Sequence, residues 1–182
     1  MTRKYIALLR GVNVGGKRKI IMADLKSAFE RRGFQNVVTY INSGNIIFDS
    51  DMDETSLKAA CERSISIDFG IDIPVFVISA EDLHKALTHA PAWWNNAPYT
   101  RHDAFFVIPP MTAADICAHV GEVKEEYERV DYYGKVIFWS AHMATFSRTR
   151  FSKISKDKAM YGAITVRNAN TALKLMELTK EG

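Results

Sequence analysis

The spacing of apolar residues at the start of the chain changes from a strand pattern to a helix pattern. The short apolar run Lys4–Leu9 begins with residues that favour strands, and it predicts a β-strand. Met22, Leu25 and Phe29 then recur at intervals of three and four residues, which predicts a helix with one apolar side. Gly33 follows as the residue that ends this helix.

Two more apolar runs, Val37–Ile41 and Ile46–Phe48, lie on either side of the sequence NSGN. Its glycine can adopt the positive φ that tight turns need, so the pattern predicts a β-hairpin. Asp53 then caps a predicted helix that Gly70 ends, and Val75–Ser79 is a further predicted strand. The order strand, helix, strand, strand, helix, strand is that of the ferredoxin-like motif.

The second half of the chain repeats the same order of elements. Its predicted elements are a strand at Ala104–Ile108, a helix capped by Thr112, a hairpin of Tyr127–Tyr132 and Val136–Trp139, one helix through Phe151, Ile154, Lys158 and Ala159, a strand at Ile164–Val166 and a last helix from Ala172 to Leu178. Little residue identity supports a duplication, so the prediction of a repeat depends on this order alone.

These patterns predict an α+β fold of two ferredoxin-like (βαββαβ) halves with a C-terminal helix. The first half, with a short helix after Ser79, is expected to occupy residues 1–90. Residues 91–102, which contain Trp93 and Trp94, are expected to form a linker loop. The second half and its C-terminal helix are expected to occupy residues 103–182.

Charge is distributed unevenly along the 182 residues, although the net charge is only +3. Residues 1–50 contain nine Lys and Arg against three Asp and Glu, and residues 135–182 contain the same numbers. Residues 51–134 contain six against fifteen. Two basic ends around an acidic middle favour an anionic partner wherever the ends meet, whereas solvated faces of unrelated helices would give the same counts.

Composition excludes several classes of protein. No apolar run approaches the roughly 18 residues that cross a membrane, so no membrane partner is expected and the cytoplasm is the expected location. The two cysteines, Cys61 and Cys117, lie on the apolar sides of predicted helices, where small buried side chains are the ordinary interpretation. The five histidines have no ligand spacing, so neither a metal nor another cofactor is expected.

The glycine-rich loop RGVNVGGKRK, residues 10–19, is one residue away from a phosphate-binding P-loop. Arg18 stands where that motif needs Ser or Thr for magnesium, and no helix pattern begins directly after the loop. A P-loop is therefore disfavoured. Two interpretations remain open, a simple connection between strand and helix, and an anion site in which backbone N–H groups and cations act together.

The candidate ligand-binding residues combine this loop with a second motif, TVRNANT. Arg167 follows a predicted strand beside a helix start, where a guanidinium suits a carboxylate or phosphate, or else an internal ion pair. Asn168 is foremost a helix cap. The predicted site, to which the NSGN hairpin could add, consists of Arg10, Gly11, Asn13, Gly15, Gly16, Lys17, Arg18, Arg167 and Asn168.

Three stretches together, ALLRGVNVGGKRKI, VVTYINSGNIIF and TVRNANTALKL, resemble the bacterial domain-of-unknown-function family 1697. The resemblance extends from about Tyr5 to Leu178, nearly the whole chain, with the three motifs in the same order. It implies a two-part α/β fold whose halves interlock. It implies no established activity.

The sequence thus favours binding of a phosphate-bearing ligand, either a nucleotide or a nucleic-acid backbone, and assigns no reaction. Sequence-specific RNA recognition is disfavoured because the strands lack paired aromatic residues for base stacking. Ser43 in the NSGN turn is explained by turn chemistry rather than as a nucleophile. Two alternatives remain, an enzyme acting on a small phosphorylated metabolite, and a protein-interaction module that uses the loop with Trp93 and Trp94.

Overall fold

The computed structural model describes residues 1–98 and 100–180 and divides into two compact units. Among the described residues, unit 1 comprises Met1–Leu83 together with residues 177–180, and unit 2 comprises His84–Met176. The division between them falls between Leu83 and His84, and the described residues of the segment expected to be a linker, 91–98 and 100–102, lie within unit 2.

Unit 1 has the ferredoxin-like order of elements. They are β1 (Arg3–Leu9), α1 (Met22–Arg31), β2 (Gln35–Tyr40), β3 (Asn45–Ser50), α2 (Glu54–Phe69) and β4 (Val75–Ser79), after which α3 (Ala80–Thr88) begins. The four strands form one sheet in the order β2-β3-β1-β4, and every neighbouring pair is antiparallel. The predicted βαββαβ order of the first half and its NSGN hairpin are confirmed.

Helix α2 shows how local sequence signals set the ends of an element. The Asp53 side chain accepts a hydrogen bond from the backbone N–H of Ser56 at 2.9 Å and so caps the first turn. This bond and a second one, which the Ser56 hydroxyl donates at 2.8 Å, lower the pKa of Asp53 below its ordinary value. At the other end Gly70 adopts φ +66°, and its N–H donates to the Ser66 carbonyl at 2.9 Å.

The core of unit 1 lies between one face of the sheet and the two helices. Alternate residues of β1 point to this side, as the two-residue period of a strand requires. The helices contribute Leu25 and Phe29 from α1 and Leu57, Cys61 and Ile65 from α2. The core residues of the sheet are Tyr5, Ala7, Leu9, Ile46, Phe48, Val75 and Val77.

Unit 2 repeats the topology. Its elements are β5 (Thr100–Val107), α4 (Ala113–Val120), β6 (Glu128–Tyr133), β7 (Val136–His142), two 3-10 helices (Met143–Arg148 and Phe151–Lys156), α5 (Lys158–Gly162), β8 (Ile164–Asn168) and α6 (Ala169–Leu178). The sheet order is β6-β7-β5-β8, again antiparallel throughout. Strand for strand, this order matches that of unit 1, so the α+β fold of two ferredoxin-like halves is confirmed.

One predicted element of unit 2 is wrong. The single helix expected through Phe151 and Ala159 is instead a 3-10 helix followed by the short helix α5. Asp157 separates the two because its backbone is extended and its side chain accepts hydrogen bonds from the N–H groups of Ala159 and Met160, at 3.0 and 3.1 Å. Asp157 therefore begins a new helix rather than continuing the preceding one.

Trp94 belongs to the interior of unit 2. Its side chain is buried, its indole Nε1 donates to the Asp103 carbonyl at 2.9 Å, and its ring meets Phe138 edge-on at 5.1 Å. This removes Trp94 from the surface that the protein-interaction alternative would use. In the described part of the chain, no helix is long and apolar enough to cross a membrane.

Candidate functional site

The glycine-rich loop folds into a miniature β-hairpin, here called the basic hairpin and defined as residues 13–18. Val14 pairs with Lys17, whose N–H donates to the Val14 carbonyl at 3.2 Å. Gly15 and Gly16 occupy the turn with φ of +60° and +75°, the backbone that a two-residue hairpin turn of this kind requires. Helix α1 begins only at Met22, so the loop lacks the helix N-terminus of a P-loop.

The side chain of Asn13 holds the basic hairpin in place. Its Nδ2 donates to the Ile20 carbonyl at 2.9 Å and to the Asn42 carbonyl at 2.7 Å. Its Oδ1 accepts from the Ile20 N–H at 2.8 Å. Both amide hydrogens are thus used inside the protein, so the structure makes Asn13 a residue that positions the loop.

The turn between β2 and β3 packs directly against the base of this loop. The Leu9 N–H donates to the Gly44 carbonyl at 2.8 Å. A Cβ atom on Gly44 would lie 2.8 Å from both Leu9 Cβ and Val12 Cγ2, so only glycine fits here. The structure therefore brings the glycine-rich loop and the NSGN turn together within unit 1.

Three consecutive cations, Lys17, Arg18 and Lys19, are exposed on the basic hairpin and its exit. Within residues 1–98 and 100–180 none of the three makes an ion pair. Over the same residues, the N–H groups of Gly15 and Gly16 donate to no protein acceptor. Cationic side chains and available backbone donors thus lie side by side, which is the composition of an anion site.

Gly11 and Arg10 lie at the start of the loop. A Cβ atom on Gly11 would come within 3.4 Å of Nη1 of Arg18, so the absence of a side chain leaves room for that guanidinium. Gly11 also has φ +66°, and Arg18 has φ +50°, an uncommon value for a residue with a side chain. Arg10 is half-buried.

Sequence reasoning missed a set of exposed aliphatic residues around the basic hairpin. Val14, Ile21 and Ile41 are 65%, 67% and 47% exposed, and each is the chain neighbour of a residue in the Asn13 hydrogen-bond cluster. Ile41 also has φ +46°, which is a genuine outlier for a β-branched residue. Ile41 had been assigned to the end of a predicted strand, and the structure places it in the turn after β2 instead.

The remaining predicted site residues, Arg167 and Asn168, belong to unit 2. Arg167 is only 7% exposed, and its Nη1 donates to Thr165 Oγ1 at 3.0 Å and to the Val166 carbonyl at 2.8 Å. Burial lowers the pKa of Arg167 to about 10. Asn168 Oδ1 accepts from the Thr171 N–H at 2.8 Å, which is the helix-capping role expected of it.

Unit 2 also contains a cleft of about 180 Å³ that sequence reasoning did not find. Residues from β5, β6 and β7 line it, and among them His102 and Ser140 are hydrogen-bonded. His102 and Ser140 are 38 positions apart along the chain, and only the pairing of β5 with β7 brings their side chains together. The lining residues include Trp93, His102, Tyr127, Arg129 and Ser140.

The cysteines do not provide a reactive thiolate. Burial raises the pKa of the Cys61 thiol far above its ordinary value and that of Cys117 to about 11. Among the described residues, no group of three His, Cys, Asp or Glu side chains is placed to hold a metal ion.

Comparison with solved structures finds proteins that are similar to this chain. A conserved bacterial protein, SP0830 from Streptococcus pneumoniae, is 31% identical, with a TM-score of 0.86 over 98% of this chain and 99% of that one. An unknown protein from Galdieria sulphuraria is 11% identical over 92% of this chain and 98% of that one, with a TM-score of 0.25, too low to indicate a shared fold. No curated protein matches the chain.

The family comparison agrees with the resemblance drawn from the three sequence motifs. The family described as "Protein of unknown function (DUF1697)" matches residues 1–138, which is most of the chain. We conclude that this protein belongs to the DUF1697 family.

Proposed function

We propose that the basic hairpin of unit 1 binds a phosphate-bearing ligand, either a nucleotide or a nucleic-acid backbone. The observation that carries the proposal is the exposed cation run Lys17, Arg18 and Lys19 beside the unused N–H groups of Gly15 and Gly16. Phosphate oxygens accept hydrogen bonds from such backbone donors and are attracted by neighbouring Lys and Arg side chains.

The support for the loop makes it suitable for binding. The hydrogen bonds of Asn13 to Ile20 and Asn42 order the hairpin before any ligand arrives. A loop that is already ordered loses less conformational entropy on binding than a flexible one. Asn13 therefore contributes to affinity through the shape of the loop rather than through contact with the ligand.

The other predicted residues enter the proposal in secondary roles. Gly11 leaves room for the guanidinium of Arg18, and Arg10 adds charge at the start of the loop. That Arg167 and Asn168 bind a ligand stays a prediction, and within unit 2 both residues already have hydrogen bonds. Arg167→Lys and Asn168→Asp test their participation separately from that of the hairpin, and both variants retain a similar size.

Fluorescence anisotropy with labelled single-stranded and double-stranded oligonucleotides, at about 50 mM and about 200 mM salt, tests the proposal. We expect binding that weakens with salt, and Lys17→Ala is expected to reduce the slope of log K against log[salt] by about 0.7–0.9. Competition with nucleoside triphosphates distinguishes a nucleotide site from a backbone site.

The matched control is Lys26→Ala, because Lys26 is a half-exposed lysine of the same unit that pairs with Glu30. It is expected to leave both affinity and salt slope unchanged. Absence of binding to every oligonucleotide and nucleotide at low salt would overturn the proposal. Equal losses in Lys17→Ala and Lys26→Ala would do the same, because they would indicate attraction by net charge alone.

A protein-interaction role is the second candidate, and the exposed Val14, Ile21 and Ile41 favour it. Aliphatic side chains gain little from a phosphate but gain from burial in a protein partner. Replacing Val14 and Ile21 by Ser leaves the cations in place. Unchanged oligonucleotide affinity in that double variant would keep the phosphate site and show that these two aliphatic side chains do not contribute to it.

We also propose a cytoplasmic location. Two free cysteines at 61 and 117 are typical of a reducing compartment. Fractionation of cells that carry a tagged full-length chain tests this, and recovery in the membrane fraction would contradict it.

A further inference from the structure

Three neighbouring strands of unit 2 place an arginine, a serine and a histidine in one row. Arg129 on β6 is directly opposite Ser140 on β7, and Ser140 is directly opposite His102 on β5. Residues directly opposite one another in antiparallel strands point to the same face of the sheet, with Cβ atoms about 4.5–5.5 Å apart. All three residues line the cleft of about 180 Å³.

The hydrogen bonds of His102 define which imidazole nitrogen carries the proton. Nε2 lies 3.3 Å from the Ala97 carbonyl, and a carbonyl oxygen can only accept a hydrogen bond. In the neutral imidazole, Nε2 therefore carries the hydrogen, and Nδ1 has a lone pair. Nδ1 lies 2.5 Å from Ser140 Oγ, so the Ser140 hydroxyl donates to it.

This is the arrangement of an activated nucleophile. The base is hydrogen-bonded to the serine hydroxyl, and the base is in turn oriented by a third group, the Ala97 carbonyl. On the other side of Ser140, Arg129 is exposed and makes no ion pair within residues 1–98 and 100–180. Its guanidinium is thus available to negative charge that develops beside the serine.

We propose that the cleft is a serine-dependent acyl-transfer site, with Ser140 as nucleophile, His102 as general base and Arg129 as the group that stabilises the oxyanion. This site lies in unit 2 and is independent of the phosphate site proposed for unit 1. The substrate class is a small carboxylic ester, since about 180 Å³ holds only a short acyl group with its leaving group. The aromatic residues Trp93 and Tyr127 contribute apolar surface to the wall.

The reaction proceeds in two steps, acylation of Ser140 and hydrolysis of the acyl-enzyme. Ser140 Oγ attacks the ester carbonyl carbon while its proton passes to His102 Nδ1, and the carbonyl oxygen becomes the oxyanion beside Arg129. The tetrahedral intermediate collapses, the C–O bond to the leaving alcohol breaks, and the alcohol leaves with the proton from Nδ1. Water then attacks the acyl group on Ser140 in the same way, which releases the carboxylic acid and restores the Ser140 hydroxyl.

The nearby carboxylate of Glu128 has a different role. It lines the cleft, but its oxygens accept hydrogen bonds from Trp139 Nε1 at 2.8 Å and from the backbone N–H groups of Arg150 and Phe151. Glu128 is buried by these structural contacts. This leaves His102 as the base in hydrogen-bond contact with Ser140.

A fluorophosphonate probe tests the proposal on the unmodified full-length protein, because it reacts covalently with activated serine hydroxyls. We expect one label on the folded protein, mapped to Ser140 by peptide mass spectrometry, and none on protein unfolded in urea. Hydrolysis of p-nitrophenyl acetate is expected to stop when the label is attached. No label at Ser140 of the folded protein would overturn the proposal.

Variants test the role of each residue. His102→Gln is expected to slow labelling about 100-fold or more, and Arg129→Gln is expected to lower kcat about 100-fold. The control is Ser155→Ala. Among the described residues the Ser155 hydroxyl hydrogen-bonds only to the Ser152 carbonyl, so this variant is expected to leave both rates unchanged. Circular dichroism verifies that each variant is folded. Labelling at Ser140 that is unaffected by His102→Gln would refute the assigned base.

Discussion

The side-chain amide of Asn13 donates a hydrogen bond to the backbone carbonyl of Asn42, with 2.7 Å between nitrogen and oxygen. These residues are 29 positions apart, and the bond fixes the basic hairpin to the turn between β2 and β3. The same side chain also makes two hydrogen bonds to the backbone of Ile20, so it links both ends of the basic hairpin to the neighbouring turn.

Asn13→Ala is therefore expected to destabilise the protein by about 2–3 kcal/mol, because it removes three hydrogen bonds of one side chain. Alanine is also strained at φ +55°. Urea unfolding measures the change. Asn42→Ala is the control, because the Asn42 group in this bond is a backbone carbonyl, and we expect a change of only about 0.5 kcal/mol or less. Equal losses in the two variants would contradict the assigned role.

Gly44→Ala is expected to cost about 2–5 kcal/mol, because the new Cβ would lie 2.8 Å from Leu9 Cβ and Val12 Cγ2 at a φ of +80°. Gly70→Ala separates strain from crowding. Gly70 has φ +66° but no atom within 4 Å of its added Cβ, so only about 1 kcal/mol is expected. Urea unfolding of both variants gives the two values. A Gly44→Ala cost no larger than that of Gly70→Ala would mean that the turn yields to the added methyl group.

The sequence was sufficient to predict most of the fold because the capping and turn residues agreed with the spacing of apolar residues. Helix α2 begins after Asp53 and ends before Gly70, as expected, and the NSGN turn joins β2 to β3. The helix expected through Phe151 was wrong because Asp157 satisfies the N–H groups of the next helix, and this competes with continuation of the first. The spacing of apolar residues alone does not show where a polar side chain caps a new helix and so ends the preceding one.

The two candidate sites differ in how far the sequence predicts them. The glycines and cations of residues 10–19 are contiguous, so composition alone drew attention to them. The row of Arg129, Ser140 and His102 comes from three strands, and its members are separated by 11 and 38 positions along the chain. Only the strand register makes them neighbours. The alternation of apolar residues shows which face of the sheet a residue occupies, but it does not identify its partner on the next strand.

Asp103 is expected to make stability depend on pH. Burial raises the pKa of this carboxyl above its ordinary value, although an ion pair with Arg101 at 2.7 Å acts in the opposite direction. A carboxyl whose pKa is higher in the folded protein binds a proton more readily when folded. Its contribution to the free energy of unfolding therefore increases as the pH falls through the folded pKa.

Urea unfolding of the wild type and of Asp103→Asn at pH about 7, about 5.5 and about 4.5 measures this contribution. The wild type is expected to gain stability relative to the variant as the pH is lowered. The comparison cancels the other titrating groups, since both proteins contain them. A wild type that loses stability relative to the variant on acidification would mean that the ion pair with Arg101 outweighs the burial of Asp103.

Ile41 is the residue whose replacement is expected to stabilise the protein. It is a β-branched residue at φ +46° and 47% exposed, so it carries backbone strain without the packing that would compensate for it. Asparagine tolerates this conformation, and Ile41→Asn is expected to raise the free energy of unfolding by about 0.5–1 kcal/mol.

The same variant tests whether the strain serves binding. If Ile41 contacts a partner at the edge of the basic hairpin, Ile41→Asn will be more stable in urea and yet bind that partner less tightly, and this combination is what we expect. Thr39→Asn, in β2 and at an ordinary φ, is the control. It is expected to lower stability slightly, because asparagine is disfavoured in strands, and to leave binding unchanged. A loss of stability in Ile41→Asn would show instead that the isoleucine side chain contributes to the packing of the turn.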